Sequence, residues 1–377
     1  MLTLLQKHLR RLLAICLLAP LLAACDSAIY DEEGDCDIHY RLRFRFDHNL
    51  LFADAFNSQV TSVGVYAFDA ETGLFAWQRL ESGEALARSG YEMNLDGIEP
   101  GRYRLVAWCG LDNAHIGGKP ESFTLPALTP GVSTREELRC RLEREIDPDG
   151  SHHSRGDLWN LFHGFPANDQ WNEQIVEIID PESLRADGQT VEYTVRLKKD
   201  TNRVRVILQQ LSGEDIDAEN FTYTIEAENG LIAHDNSLLP ETKITYHPHR
   251  VGSGIAGVGL PGLLSRDETP DGIKPVKVAV ADLTIGRLVK DKPVTLTVYA
   301  PDGKVSARIP LVDYALLAAE GETFYKNGRP YAMGQQEYLD REDSYTLTFF
   351  LDRSKDWQAV RLQILSWRIV FNHIDIN

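Results

Sequence analysis

Ile38-His39-Tyr40-Arg41-Leu42-Arg43-Phe44-Arg45-Phe46 alternates apolar and polar residues without a break. Period two puts one row of side chains on each face of an extended chain, so the stretch reads as a half-buried β-strand. Its apolar row faces a core. Its arginine row, Arg41, Arg43 and Arg45, faces solvent or an acidic neighbour.

The same reading extends outward along the chain. Val60 to Phe68 is a second strand, closed by the turn Asp69-Ala70-Glu71-Thr72-Gly73, and Leu74 to Arg79 returns as its partner. Arg102 to Cys109, Phe123 to Leu125 and Glu136 to Leu142 follow as strands. Residues 143–170 break the pattern with charged, turn-rich sequence. Strands resume at Gln174 to Ile179, Thr190 to Leu197, Asn202 to Leu211 and Phe221 to Ala227. Later ones are Val276 to Val280, Val294 to Ala300, Val305 to Ile309, Tyr345 to Leu351 and Val360 to Phe371. One helix is expected, over Leu311 to Ala319. Short strands separated by turn chemistry predict an all-β protein of antiparallel sandwiches. The chain of 377 residues has room for two cores. The domain boundary is expected near residue 187, in the Asp187-Gly188 turn, giving domains over 36–187 and 188–377.

The C-terminal stretch changes phase. Val360, Leu362 and Ile364 alternate in one register, and Trp367, Ile369 and Phe371 in the other. A bulge or bend at Leu365-Ser366 is expected. A terminal strand of this kind either completes its own sheet or joins a partner by strand addition.

The N-terminus carries an address. Lys7, Arg10 and Arg11 precede the apolar run Leu12 to Leu22, which is long enough for a signal-peptide h-region and too short to span a bilayer. Leu22-Ala23-Ala24-Cys25 looks like a lipobox. Residues 1–24 are therefore expected to be a lipoprotein signal peptide, cleaved between Ala24 and Cys25, with Cys25 acylated. Several acyl chains on one residue give durable anchorage where a single chain does not. Residues 25–35 form an acidic tether, a pattern resembling surface-export signals of lipoproteins.

Charge and composition exclude other classes. Fifty-six acidic residues against 39 Lys and Arg give a formal net charge of −17, which disfavours nucleic acid as a partner. Of five cysteines, Cys36, Cys109 and Cys140 remain after processing and lipidation, allowing at most one bridge and leaving one free thiol. A Cys109–Cys140 bridge and unpaired burial both fit.

Candidate chemical constellations are weak. His152, His153 and His163 lie near Asp147, Asp149 and Asp157 but match no metal-ligand spacing, and a solvated loop is the better reading. Glu337, Asp340, Glu342 and Asp343 read as a turn between strands rather than a calcium site or glycosidase dyad. Gly252 to Gly262 has GxGxxG spacing without the strand–helix context of a phosphate cradle and reads as a loop. Six tryptophans read mainly as core anchors. No catalytic, cofactor or metal site is expected, and the protein is not expected to be an enzyme.

Taken in order, these features resemble the FimB-like fimbrial anchor lipoproteins of Bacteroidales, the minor-fimbrium anchor type. The resemblance rests on the lipobox with Cys25-Asp26-Ser27-Ala28-Ile29-Tyr30-Asp31, on Tyr40 to Phe46, Phe52 to Phe56 and Val63 to Asp69. It continues through Pro100 to Tyr103, Ala107 to Gly110, Asp157 to Trp159 and His163-Gly164, then Pro310 to Leu317 and Gln336 to Arg341, and ends with Tyr345 to Leu351 and the Trp367 strand. Residues 228–272 carry no such signature. The resemblance implies two tandem transthyretin-like sandwiches. It also implies a lipid-anchored, surface-exposed position on the outer membrane, at the base of a type V-like fimbria, with the major fimbrillin of the stalk as partner. An anchor that keeps its acylated N-terminus would also terminate the fibre. Trp367, Ile369 and Phe371 are the candidate contact strand. The alternatives are a tip or accessory subunit of the same fold, and a surface glycan-binding lipoprotein.

Overall fold

The computed structural model describes residues 39–111, 122–179, 190–256, 276–352, 357–364 and 367–372. In the first half of the chain the strands are β1 (His39–Arg45), β2 (Ser62–Asp69), β3 (Phe75–Ser82), β4 (Glu92–Asn94), β5 (Gly101–Cys109), β6 (Phe123–Thr124), β7 (Cys140–Leu142), β8 (Glu145–Ile146), β9 (His152–Ser154), β10 (Phe162–Pro166), β11 (Val176–Ile178) and β12 (Thr190–Lys199). The second half has β13 (Thr201–Gln210), β14 (Thr222–Ala227), β15 (Leu231–Ile232), β16 (Ile244–Tyr246), β17 (Arg250–Ala256), β18 (Val276–Gly286), β19 (Val294–Tyr299), β20 (Val305–Pro310), β21 (Phe324–Lys326), β22 (Arg329–Tyr331), β23 (Ser344–Leu351), β24 (Trp357–Ile364) and β25 (Trp367–Asn372). Among the described residues the α-helices are α1 (Phe56–Gln59), α2 (Leu311–Glu320) and α3 (Gln335–Arg341).

The opening alternation forms β1 as expected. Leu42 and Phe44 are buried, while Arg41 and Arg43 pair with Glu92, and Arg43 also pairs with Glu192. β1 lies in an eight-stranded sheet ordered β3-β2-β5-β10-β12-β1-β4, with β11 also paired to β5. The near-continuous apolar run of β2 has a specific cause, since both faces of this strand are covered. Val63, Val65 and Ala67 join Leu105 and Val195 in one core, while Tyr66 and Phe68 join Trp108 in another. The first core draws on β1, β2, β4, β5, β10 and β12 and is closed by Phe56 and Leu86, so the sheet folds over its own inner face.

In the second half, a sheet ordered β17-β18-β13-β23-β24-β25 faces one ordered β20-β19-β14-β16-β9-β8. Val206, Leu208, Leu347 and Phe349 from one meet Tyr223, Ile225, Leu296 and Ile309 from the other. This larger core runs without interruption into Trp108, Leu158 and Leu161 of the first half. The architecture is the expected all-β tandem of sandwiches. Pairing is antiparallel except at β1–β12, β13–β23 and β16–β9, which are parallel. These three pairs join strands far apart in sequence, so they need crossovers that a hairpin reading does not supply.

Other differences are local. Arg135–Glu137 is a short 3-10 turn, and β7 starts only at Cys140. The stretch expected to break the pattern contains β8 and β9, which belong to the second half's sheet, and β10, a central strand of the first. Gly252 to Ala256 lies in strand β17, not in a loop. The turn at Asp187-Gly188 lies outside the described residues. Sheet membership changes at Asp200, the single residue between β12 and β13.

Candidate functional site at the terminal edge and the junction

β25 pairs with β24 in antiparallel register, with Ile364 opposite Trp367, Leu362 opposite Ile369 and Val360 opposite Phe371. The change of phase expected as a bulge or bend is therefore a reversal of the chain between two paired strands. Positions 364 and 367 pair directly, so the sequence changes phase where the strand direction reverses. Residues 365–366 themselves lie outside the described set. The rows continue inward: Ile364 is opposite Tyr345, Leu362 opposite Leu347 and Val360 opposite Phe349. Those three β23 residues are fully buried. The six apolar positions of the terminal ribbon thus stand in register with the sandwich core. β25 is the last strand of its sheet, and among the described residues no strand pairs with its outer side. Such an edge presents unpaired backbone N–H and C=O groups.

Charged side chains meet where the two halves adjoin. Lys198 of β12 donates to Asp340 of α3 at 2.8 Å, and Lys199 pairs with Asp343. Arg287 donates to the other Asp340 oxygen at 2.8 Å and lies 3.7 Å from Asp200. Arg341 donates to the backbone carbonyls of Asp47 and Asn49. Arg196 grips Asp47 through both carboxylate oxygens. Burial pushes the Asp340 carboxyl up, but Arg287 and Lys198 outweigh it and hold it below the usual carboxylate range. Asp200 has weaker compensation, and burial takes it up to about 7.

The acidic cluster read as a turn is the end of α3 and the segment after it. Asp340 and Asp343 are partners of distant cations, Glu337 pairs with Arg341 one helical turn on, and Glu342 accepts from the Ser344 backbone N–H, with Asp340 and Glu342 buried. His152 and His153 lie on β9, where His153 meets His247 at 2.9 Å and Asp147 at 3.3 Å. His163 sits apart on β10, against Trp108, and its Nε2 lies 2.8 Å from the His234 carbonyl. Among the described residues, no three His, Cys, Asp or Glu side chains are grouped to hold a metal. Cys109 and Cys140 are both buried and free. Trp108 is a core residue, whereas Trp171 borders a cleft between the two halves. Ala24, Cys25 and the 25–35 tether lie outside the described residues. Sequence reasoning missed the junction cations altogether, because nothing local marks Lys198 or Arg287 as partners of α3.

The fold is a tandem of β-sandwiches with an ion-paired junction and, among the described residues, a terminal strand with one unpaired edge. Residues 32–373 match the family described as Fimbrillin-A associated anchor proteins Mfa1 and Mfa2, and the chain belongs to that family. It is a family of structural fimbrial proteins, not one of enzymes. The chain is 25% identical over 229 residues to the minor fimbrium anchoring subunit Mfa2 of Porphyromonas gingivalis, an alignment covering 60% of this chain and 61% of that protein. The fold matches a crystal structure named as a candidate adhesin from Bacteroides thetaiotaomicron, with a TM-score of 0.70 and 29% identity over 90% of this chain and all of that one. It also matches the fimbrial anchor protein Mfa2 from Porphyromonas gingivalis, with a TM-score of 0.57 and 18% identity over 90% of this chain and 100% of that one.

Proposed function

We propose that this protein is an outer-membrane lipoprotein, acylated at Cys25 after cleavage of residues 1–24, that holds the base of a type V-like fimbria and ends its assembly. The observation that carries this reading is a match to the anchor family from residue 32 to 373, directly behind the lipobox Leu22-Ala23-Ala24-Cys25. The lipid fixes one end. The other end grips the stalk subunit, the major fimbrillin, through β25, with Trp367, Ile369 and Phe371 as the contact strand. The free edge supports this assignment, since strand addition satisfies unpaired backbone groups and many such bonds share a pulling load. A division into two domains is proposed too: the sequence puts it at 36–187 and 188–377, and the change of sheet membership after β12 moves the boundary to Asp200. An acylated N-terminus that is never trimmed leaves no route for a further subunit on the membrane side, which is why growth stops there.

Two variants test the two ends separately. Cys25→Ala should leave the protein unlabelled by fatty acid and release it, together with fimbriae, from the cell. Deletion of Trp367 to Asn377 should leave the lipoprotein on the cell while fimbriae appear in the medium. Fimbriae that stay cell-bound in the deletion reject β25 as the contact. Immunogold labelling at the free tip rather than the base rejects the anchor in favour of a tip subunit.

A further inference from the structure

A cleft of about 710 Å³ lies between the two halves, within the range of small-molecule sites. One wall comes from the segment after β1, the loop before β11, and β12. The other comes from the β21–β22 hairpin and α3. Three rings line it: Phe52, Trp171 and Tyr331. Two of these rings, Phe52 and Trp171, stand on backbone in the left-handed region, with φ of 51° and 62°. Bulky residues rarely occupy that region unless the surroundings hold them there.

The charges of the cleft are almost balanced. Asp47 and Asp169 are paired with Arg196, Glu337 with Arg341, and Asp340 with Lys198. Lys326 is the exception. No carboxylate among the described residues lies within ion-pair distance of it, and its Nζ stands 5.6 Å and 5.4 Å from the centroids of Phe52 and Tyr331. His48, also lining the cleft, is only 5% exposed, yet neither ring nitrogen has a hydrogen-bond partner. Burial, with Arg341 nearby, lowers its pKa to about 2, so the ring is neutral and offers one donor and one acceptor.

We propose that this cleft binds an acidic sugar residue, a hexuronate or a sugar of like chemistry. Sugar C–H faces suit the Tyr331 ring, which Phe52 supports edge-on from beneath the Arg341 guanidinium, as apolar surface in a mostly polar recess. Hydroxyls, which both donate and accept, suit neutral His48 and the amides of Gln170 and Asn327. A single carboxylate suits the single uncompensated cation, Lys326. This site is independent of β25 and of the lipid, so its failure would leave the anchor reading untouched.

The test is calorimetric titration of the full-length protein in detergent with a short oligogalacturonate, a neutral oligogalactoside of equal length and a poly-glutamate peptide. The oligogalacturonate should bind, and the neutral sugar should bind about tenfold more weakly, the loss of one charge-assisted contact. Lys326→Gln, on an exposed side chain, should abolish that preference without changing the circular dichroism spectrum. Tyr331→Ala should weaken both sugars. Absence of heat with the oligogalacturonate overturns the proposal. So does equal binding of the neutral sugar, a preference that survives in Lys326→Gln, or equal affinity for poly-glutamate.

Discussion

Lys198 and Asp340, 142 residues apart, meet at 2.8 Å across the junction of the two sandwiches, with the Asp340 side chain almost wholly removed from water. Arg287 shares the same carboxylate. Asp340→Ala would strand two cations beside a buried site. Breaking a buried pair from one side costs about 3–5 kcal/mol. Urea unfolding should show that loss, and a loss below 1 kcal/mol (, the scale of an exposed pair) would mean that the junction does not depend on this contact.

Gly164 sits at the centre of the first sheet, opposite Ala107 on β5 and Leu197 on β12. A Cβ there would press on the backbone carbonyl of Arg196, which a side-chain adjustment cannot relieve. Gly164→Ala should therefore lose about 1–3 kcal/mol, the usual cost of overpacking. Thermal unfolding checks this, with Gly252→Ala as the control for a glycine whose Cβ meets nothing within 4 Å and whose backbone is not left-handed. The control should lose less.

Much of the fold is legible locally because strands announce themselves by parity. β1 and β2 follow from single stretches. The reversal between β24 and β25 was visible as a change of phase, but a bulge and a two-residue hairpin flip parity alike, and only pairing distinguishes them. β8 and β9 carry no local sign that they belong to the second sandwich, since their partner β16 lies far along the chain. The burial of Asp340 is set by Lys198 and Arg287, so α3 reads as a charged turn until those partners are in place. The cleft draws its walls from residues 45 to 341, which no spacing motif connects.

Cys109 and Cys140 are both fully buried, and burial pushes both thiols up. Thiolate is the reactive form, so neither should alkylate in the native protein. In a Cys36→Ser background, iodoacetamide labelling followed by mass spectrometry should find both unmodified at neutral pH and both modified in guanidinium. Resistance after unfolding without reductant would instead reveal a disulfide between them.

Asp200 and His163 tilt the stability curve in opposite senses. Burial raises Asp200 from 3.8 to about 7. The folded chain keeps that proton where the unfolded chain has released it, so this contribution is complete below pH 3.8 and is lost as pH rises toward 7. Burial lowers His163 from 6.5 to about 3, so the unfolded chain binds a proton that the folded chain refuses. That contribution is complete above pH 6.5 and is lost as pH falls toward 3. Asp200→Asn should therefore gain on the wild type as pH rises through its window, by up to ~1.4 kcal/mol per pH unit. His163→Gln should gain on the wild type as pH falls through its own window. Each variant starts from its own offset, since both lose native contacts, so the slope of the difference is what decides. Urea unfolding at intervals of pH measures it, and a slope of the opposite sign for either variant would show that the group is ionised differently inside the fold.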